Sequence, residues 1–110
     1  MYNKYHAKKT WMKGKVYDSK KEANRSFQLE LLAKMGKIQN LQKQVPFVLQ
    51  DGFINNQGKK IREIKYIADF VYMEDGKMVV EDSKGVKTEV FKIKEKLFQY
   101  KYPEIIFRVS

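Results

Sequence analysis

The chain has 110 residues, 43% of them hydrophobic, which fits one folded domain with a single core rather than a disordered tail. Lys and Arg number 23 against 13 Asp and Glu, a net charge of +10 that favours a polyanionic partner: nucleic acid first, an anionic membrane surface second, with plain lysine-rich solubility as the bland alternative. There is no Cys and one His, His6, which excludes disulfide frameworks, thiolate nucleophiles, cysteine zinc sites and chemistry built on several histidines.

Residues 1–18 form a basic segment with a short hairpin, Thr10 to Met12 and Lys15 to Tyr17, turning at Lys13-Gly14. The core, 19–110, opens with a helix. Ser19 suits its N-cap, Glu22 stands three residues later, and Gly36 can end it after Met35. Its apolar residues, Ala23, Phe27, Leu29, Leu31, Leu32, Ala33 and Met35, fall on more than one side, so packing on several faces is expected. Val45 to Leu49 reads as a strand that Pro46 confines to an edge or a strand start. The polar stretch from Gln50 to Lys60 reads as a loop. Ile64 to Met73 is a second strand, Asp75-Gly76 a two-residue hairpin, and Lys77 to Asp82 the returning strand. Thr88 to about Lys101 has helical spacing in Val90, Ile93 and Leu97, with Phe91 and Phe98 beside them; Pro103 stops it, and "IIFRV" is the last strand. The expected fold class is α/β (α+β): α-β-β-β-α-β, a central mixed sheet flanked by helices. No apolar run is long enough to span a bilayer and no signal peptide is visible, so a cytoplasmic location is expected.

The stretch "VVEDSKG", Val79 to Gly85, carries an apolar strand straight into charge. With Asp75 and Gly76 as the turn, Glu74 faces Lys77, Val71 faces Val80, and Asp69 faces Asp82. Alternation places Asp69 with Ile67 and Val71, and Asp82 with Met78, Val80 and Lys84, so two carboxylates oppose each other on an apolar face. Opposed like charges are destabilising, and burial makes them worse. Either one carboxyl keeps its proton or a divalent cation sits between them. Residues two apart on a strand are about 6.5 Å apart along it, which argues against a direct Asp82–Lys84 contact and leaves room for a phosphate or a water. The bland alternative is an Asp–Lys ladder with Asp69 hydrogen-bonded to a backbone amide. Glu22 either completes a capping box with Ser19 or points inward; Glu30, two turns on, is the fallback. Glu81 falls on the opposite face, across from Phe70, and reads as structural or as support for the site.

Asp69, then Asp82-Ser83-Lys84, with Glu22 on the preceding helix, resembles the PD-(D/E)xK nuclease superfamily, whose common core has the same element order. "SKKEANRSFQLELLAKMGKI", "VPFVL", "YIADFVY" and "VVEDSKG" look like phage endonuclease I-type Holliday-junction resolvases, and closer still like a family of small phage proteins of unknown function. The resemblance covers roughly Lys9 to Val109. It implies a restriction-endonuclease-like core and metal-dependent cleavage of DNA phosphodiesters, on branched DNA in phage recombination or replication. By that resemblance Asp69 and Asp82 are the motif acids, Lys84 its lysine and Glu22 the helix-borne carboxylate, while Ala68 stands where the motif name has proline. Mg²⁺, with Mn²⁺ able to substitute, would be held by Asp69, Asp82, the Ser83 carbonyl and Glu22. Paired cuts imply a homodimer. Candidate DNA contacts are Lys8, Lys9, Lys13, Lys15, Lys59, Lys60, Arg62, Lys87, Lys92, Lys94 and Lys96, with Trp11, Tyr2 and Tyr5 able to stack on bases, although core or dimer packing is the first expectation for Trp11. The alternatives are a basic DNA-binding module that keeps the fold without turnover, and a basic scaffold for an acidic protein.

Overall fold

The computed structural model describes residues 10–12, 15–17 and 19–110, and the first two stretches only as backbone. Lys8, Lys9, Lys13, Tyr2, Tyr5 and His6 lie outside the described residues, as do the side chains of Trp11 and Lys15. The chain order is β1 (Thr10–Met12), β2 (Lys15–Tyr17), α1 (Lys20–Lys34), β3 (Gln39–Gln50), β4 (Phe53–Ile54), β5 (Lys60–Ile61), β6 (Ile64–Glu74), β7 (Lys77–Asp82), α2 (Glu89–Lys101) and β8 (Ile106–Val109). The central sheet runs β3-β6-β7-β8; its first two pairings are antiparallel and β7–β8 is parallel. This is the mixed α+β architecture expected, and β1 and β2 pair antiparallel over the residues expected for the hairpin.

Local chemistry sets the element ends. Ser19 Oγ accepts from the Glu22 amide at 3.1 Å, and Thr88 Oγ1 accepts from the Phe91 amide at 3.1 Å. At the end of α1, Gly36 takes φ +75°, its amide bonds to Ala33 O and the Lys37 amide to Leu32 O, a left-handed cap that suits glycine. Asp75 and Gly76, at φ +53° and +76°, make the two-residue turn that sets the β6–β7 register from Glu74↔Lys77 to Phe70↔Glu81.

The helices cover opposite faces of the sheet. On one, Leu29 of α1 packs with Ile38, Phe70, Tyr72 and Val79. On the other, Phe91 and Phe98 of α2 pack with Tyr66, Ala68, Val71 and Val80, and Phe47 meets Phe98 edge-on at 5.1 Å. A wholly buried side chain such as Phe98 contributes about 2–3 kcal/mol.

Several expectations need correction. The helical stripe Val90, Ile93 and Leu97 faces outward, 60%, 58% and 37% exposed, because Phe91 and Phe98 give the sheet larger apolar surfaces. On α1 the buried positions are Glu22, Ala23, Ser26 and Leu29, and Leu31 and Met35 are exposed, so the helix does not pack on all its apolar sides. The first central strand starts at Gln39 rather than Val45, and Pro46 does lie on an edge strand. The expected loop contains the β4–β5 ribbon, whose turn is held by Asn55: Oδ1 accepts from the amides of Gln57 and Lys59 at 3.0 and 2.9 Å.

The last correction bears on the site. Tyr66 and Ala68 lie with α2, whereas Phe70 and Tyr72 lie with α1, so alternation along β6 changes phase at Asp69. β3 does the same: Leu41 and Lys43 meet α1, Lys43 through an ion pair to Glu30, while Val45, Phe47 and Leu49 meet α2. Between them stands Gln44 at φ +55°. Because both strands turn at the same level, pairing stays in step, with Lys43↔Phe70 before and Val45↔Ala68 after. Ile67, half exposed, therefore does not share a face with Val71.

Candidate functional site

The β6–β7 ladder ends at Phe70↔Glu81, and beyond it two carboxylates take over the bonding. Asp82 Oδ1 accepts from the Asp69 amide at 3.1 Å, and Asp69 Oδ2 accepts from the Ser83 amide at 2.9 Å. The end of β8 holds the exit of β7 from the other side: the Ser110 amide donates to Asp82 O at 2.9 Å, and the Lys84 amide to Ser110 O at 3.2 Å. The acids interrupt the strand because β6 and β7 fork there, and each side chain satisfies a backbone donor that the ladder no longer reaches.

Lys84 Nζ stands 3.3 Å from Asp82 Oδ2 and 5.0 Å from the centre of the Phe91 ring. This corrects the expectation of no direct contact: β7 stops at Asp82, the strand spacing no longer applies, and the long lysine stem folds back. Lys21 Nζ donates to Lys84 O at 2.7 Å, tying the start of α1 to the same corner.

Glu22 is buried and accepts from Gln44 Nε2 at 3.1 Å. Ser19 makes its half of the capping box, and the Glu22 carboxylate points toward β3. The same Gln44 nitrogen lies 3.4 Å from Asp69 Oδ1, so one amide links the helix acid to the strand acid. Glu30 is engaged with Lys43, away from this corner. Glu81 faces Phe70 on the α1 side, as expected, in a bidentate pair with Arg25 at 2.5 and 3.0 Å.

Burial first, and then the charge of Asp82, push the Asp69 carboxyl up to about 7, although the bond from the Ser83 amide pulls the other way. Tyr66 is buried beside the pair, and its hydroxyl has no hydrogen-bond partner among the described residues. Burial and the charges of Asp82 and Asp69 hold its proton on, far above the usual tyrosine range. Ser83 Oγ is likewise buried without a partner among the described residues.

The donor set is hard oxygen throughout: two carboxylates and an unpaired serine hydroxyl at one corner. No three His, Cys, Asp or Glu among the described residues group closely enough to cage an ion. That composition fits Mg²⁺, which keeps several waters and is commonly held by one or two carboxylates plus substrate phosphate. Asp69 and Asp82 would hold it; Glu22 is linked to Asp69 through the Gln44 amide and does not close a three-acid cage.

The basic residues singled out in the sequence lie on different elements. Lys59, Lys60 and Arg62 are exposed on and just after the β4–β5 ribbon, where Lys60 and Arg62 line a groove with Phe53, Ile54 and Lys65. Lys87 pairs with Glu95 at 3.2 Å and Lys92 with Glu89 at 3.3 Å, while Lys96 is exposed and Lys94 half-buried. Sequence reasoning missed Gln44 and Tyr66. The polar run "QNLQKQ" carries no alternation to place Gln44, and Tyr66 reads as an ordinary core aromatic.

Residues 2–109 match a protein family, and the match covers nearly the whole chain. The chain belongs to the family described as Protein of unknown function (DUF1064). No curated protein and no solved structure matches it. No helix among the described residues is long and apolar enough to cross a membrane.

Proposed function

We propose that this DUF1064 chain is a metal-dependent endodeoxyribonuclease of the PD-(D/E)xK type, acting on branched DNA. The observation that carries the reading is the Asp69–Asp82 pair at the β6–β7 fork with the Lys84 ammonium 3.3 Å from Asp82. A bound divalent cation would supply Lewis-acid polarisation of the phosphate and a more acidic water. Asp69 and Asp82 would hold it, and Glu22 would hold a water or a further ion from the α1 side. Lys84, beside Asp82, would orient the attacking water or stabilise charge on the phosphate. Exposed cations on the β4–β5 ribbon and α2 attract the DNA backbone without reading bases, so selectivity is for structure and binding is steeply salt-dependent. Such a role fits phage recombination or replication, and paired cuts call for a homodimer.

The second reading, a DNA-binding module without turnover, is favoured by one observation: Asp82 already has a backbone donor on Oδ1 and Lys84 on Oδ2. An end-labelled four-way junction and a matched duplex, each with Mg²⁺, Mn²⁺ or EDTA, separate the two. Symmetric cuts near the branch, lost in EDTA and in Lys84→Ala while junction binding persists, are expected. Salt-sensitive binding with no cutting under any metal would leave the binding module.

A further inference from the structure

Among the described residues, Gln44 bridges the helix acid and the strand acid, and its backbone is bent where it does so. Within β3 it takes φ +55°, a region that side-chain-bearing residues adopt at a cost of about 1 kcal/mol or more. The two phase changes, at Gln44 in β3 and Asp69 in β6, let the strands stay paired while these residues leave the regular pleat. The outcome is an exposed amide whose two N–H bonds are directed to Glu22 Oε2 at 3.1 Å and Asp69 Oδ1 at 3.4 Å. An NH₂ group carries two donors and partial positive charge, so it does electrostatically what a cation does between two carboxylates, only more weakly. The same amide also carries an acceptor oxygen, which an ammonium lacks.

We infer that Gln44 is a positioning residue of the candidate metal site: its NH₂ holds Glu22 and Asp69 in place of the cation in the metal-free protein, and its oxygen is available once the cation is bound. This rests on the metal-binding reading above and deepens it. The inference distinguishes charge from shape, because substitutions of similar size act in opposite directions on metal affinity and on metal-free stability.

The test is Mn²⁺ titration by calorimetry, with melting temperature in EDTA measured alongside, for wild type, Gln44→Gly, Gln44→Lys and Gln44→Glu. Glycine accepts the positive φ and so removes the amide without backbone penalty. Gln44→Gly should weaken Mn²⁺ binding at least tenfold, the usual size of losing a residue that orients ligands. Gln44→Lys should melt higher than Gln44→Gly in EDTA and lose Mn²⁺ binding, because its ammonium occupies the cation's place. Gln44→Glu should melt lower than wild type in EDTA yet bind Mn²⁺ at least as tightly. Wild-type protein that binds Mn²⁺ while all three variants bind it within twofold would overturn the role of Gln44 and leave the metal site standing. Wild-type protein that binds no Mn²⁺ would remove the metal site and this role together.

Discussion

Glu81 and Asp82 are successive residues of β7, both buried and both acidic, and the strand sends them to opposite faces. On the α1 face, Glu81 receives two bonds from Arg25 and one of 2.6 Å from Tyr72 Oη. Arg108 donates to that same hydroxyl at 2.9 Å and to Glu74 at 3.2 Å, closing a network of two cations and two carboxylates. Burial pushes the Glu81 carboxyl up, but the bonds from Arg25 and Tyr72 outweigh it and hold it below the usual carboxylate range. At the fork, Asp82 instead has another acid beside it, the Asp69 carboxyl is pushed up to about 7, and the ammonium at ion-pair distance belongs to the partly exposed Lys84. Burial is common to both acids. What differs is how far neighbouring cations match the charge, and two acids sharing one partly exposed ammonium are where a metal or a proton has work to do.

The largest loss is expected on the Glu81 side. Arg25→Met leaves a wholly buried carboxylate without its bidentate partner and should cost about 3 kcal/mol in urea unfolding. The pH dependence has a definite sign. The folded pKa of Glu81 lies below its unfolded value of 4.5, so its contribution is fully present above about pH 4.5 and disappears as pH falls through the folded value. Arg25→Met should flatten that acid-side loss. A variant as stable as wild type would mean that Tyr72 and Ser110 carry Glu81 without Arg25.

Asp69 should behave in the opposite sense. Its folded pKa is about 7 against 3.8 unfolded, so the folded state binds the extra proton and metal-free stability falls as pH rises from about 4 to 7. Asp69→Asn should remove that slope and stabilise the protein in EDTA at pH 8 by about 2 kcal/mol, while weakening Mn²⁺ binding. Asp82→Asn should act in the same direction. Both readings come from one urea series between pH 5 and 8 with and without Mn²⁺. A flat profile for wild type in EDTA would mean that the pair is not strained.

The contrast between the faces was partly legible in the sequence. Asp75-Gly76 sets the β6–β7 register, and register alone separates Glu81 from Asp82 and brings Asp69 to the fork. What stayed hidden was the pair of phase changes. A strand read as strictly alternating puts Asp69 beside Ile67 and Val71, and only the left-handed turn at Gln44, in a polar edge segment with no apolar period, reveals that both strands reset there. The same limit explains α2. Spacing identified the helix, but two phenylalanines one step round from the Val90–Ile93–Leu97 stripe decided which side the sheet would bury.

The smallest effects are expected at Tyr66 and Tyr72, six positions apart on β6 and on opposite faces of the sheet. Tyr72 Oη bridges Glu81 and Arg108, so Tyr72→Phe removes charge-assisted bonds and should cost about 1–2 kcal/mol. Tyr66 Oη is buried without a well-formed hydrogen bond among the described residues, so Tyr66→Phe removes a desolvated hydroxyl and only a weak polar contact with Asp82. It should leave metal-free stability unchanged or raise it by up to about 1 kcal/mol. On the proposed metal-site reading, a buried hydroxyl beside Asp82 and Asp69 would serve the bound ion or its water. Tyr66→Phe should therefore lower cleavage or Mn²⁺ affinity while the urea midpoint holds, and a variant unchanged in all three would return Tyr66 to the core.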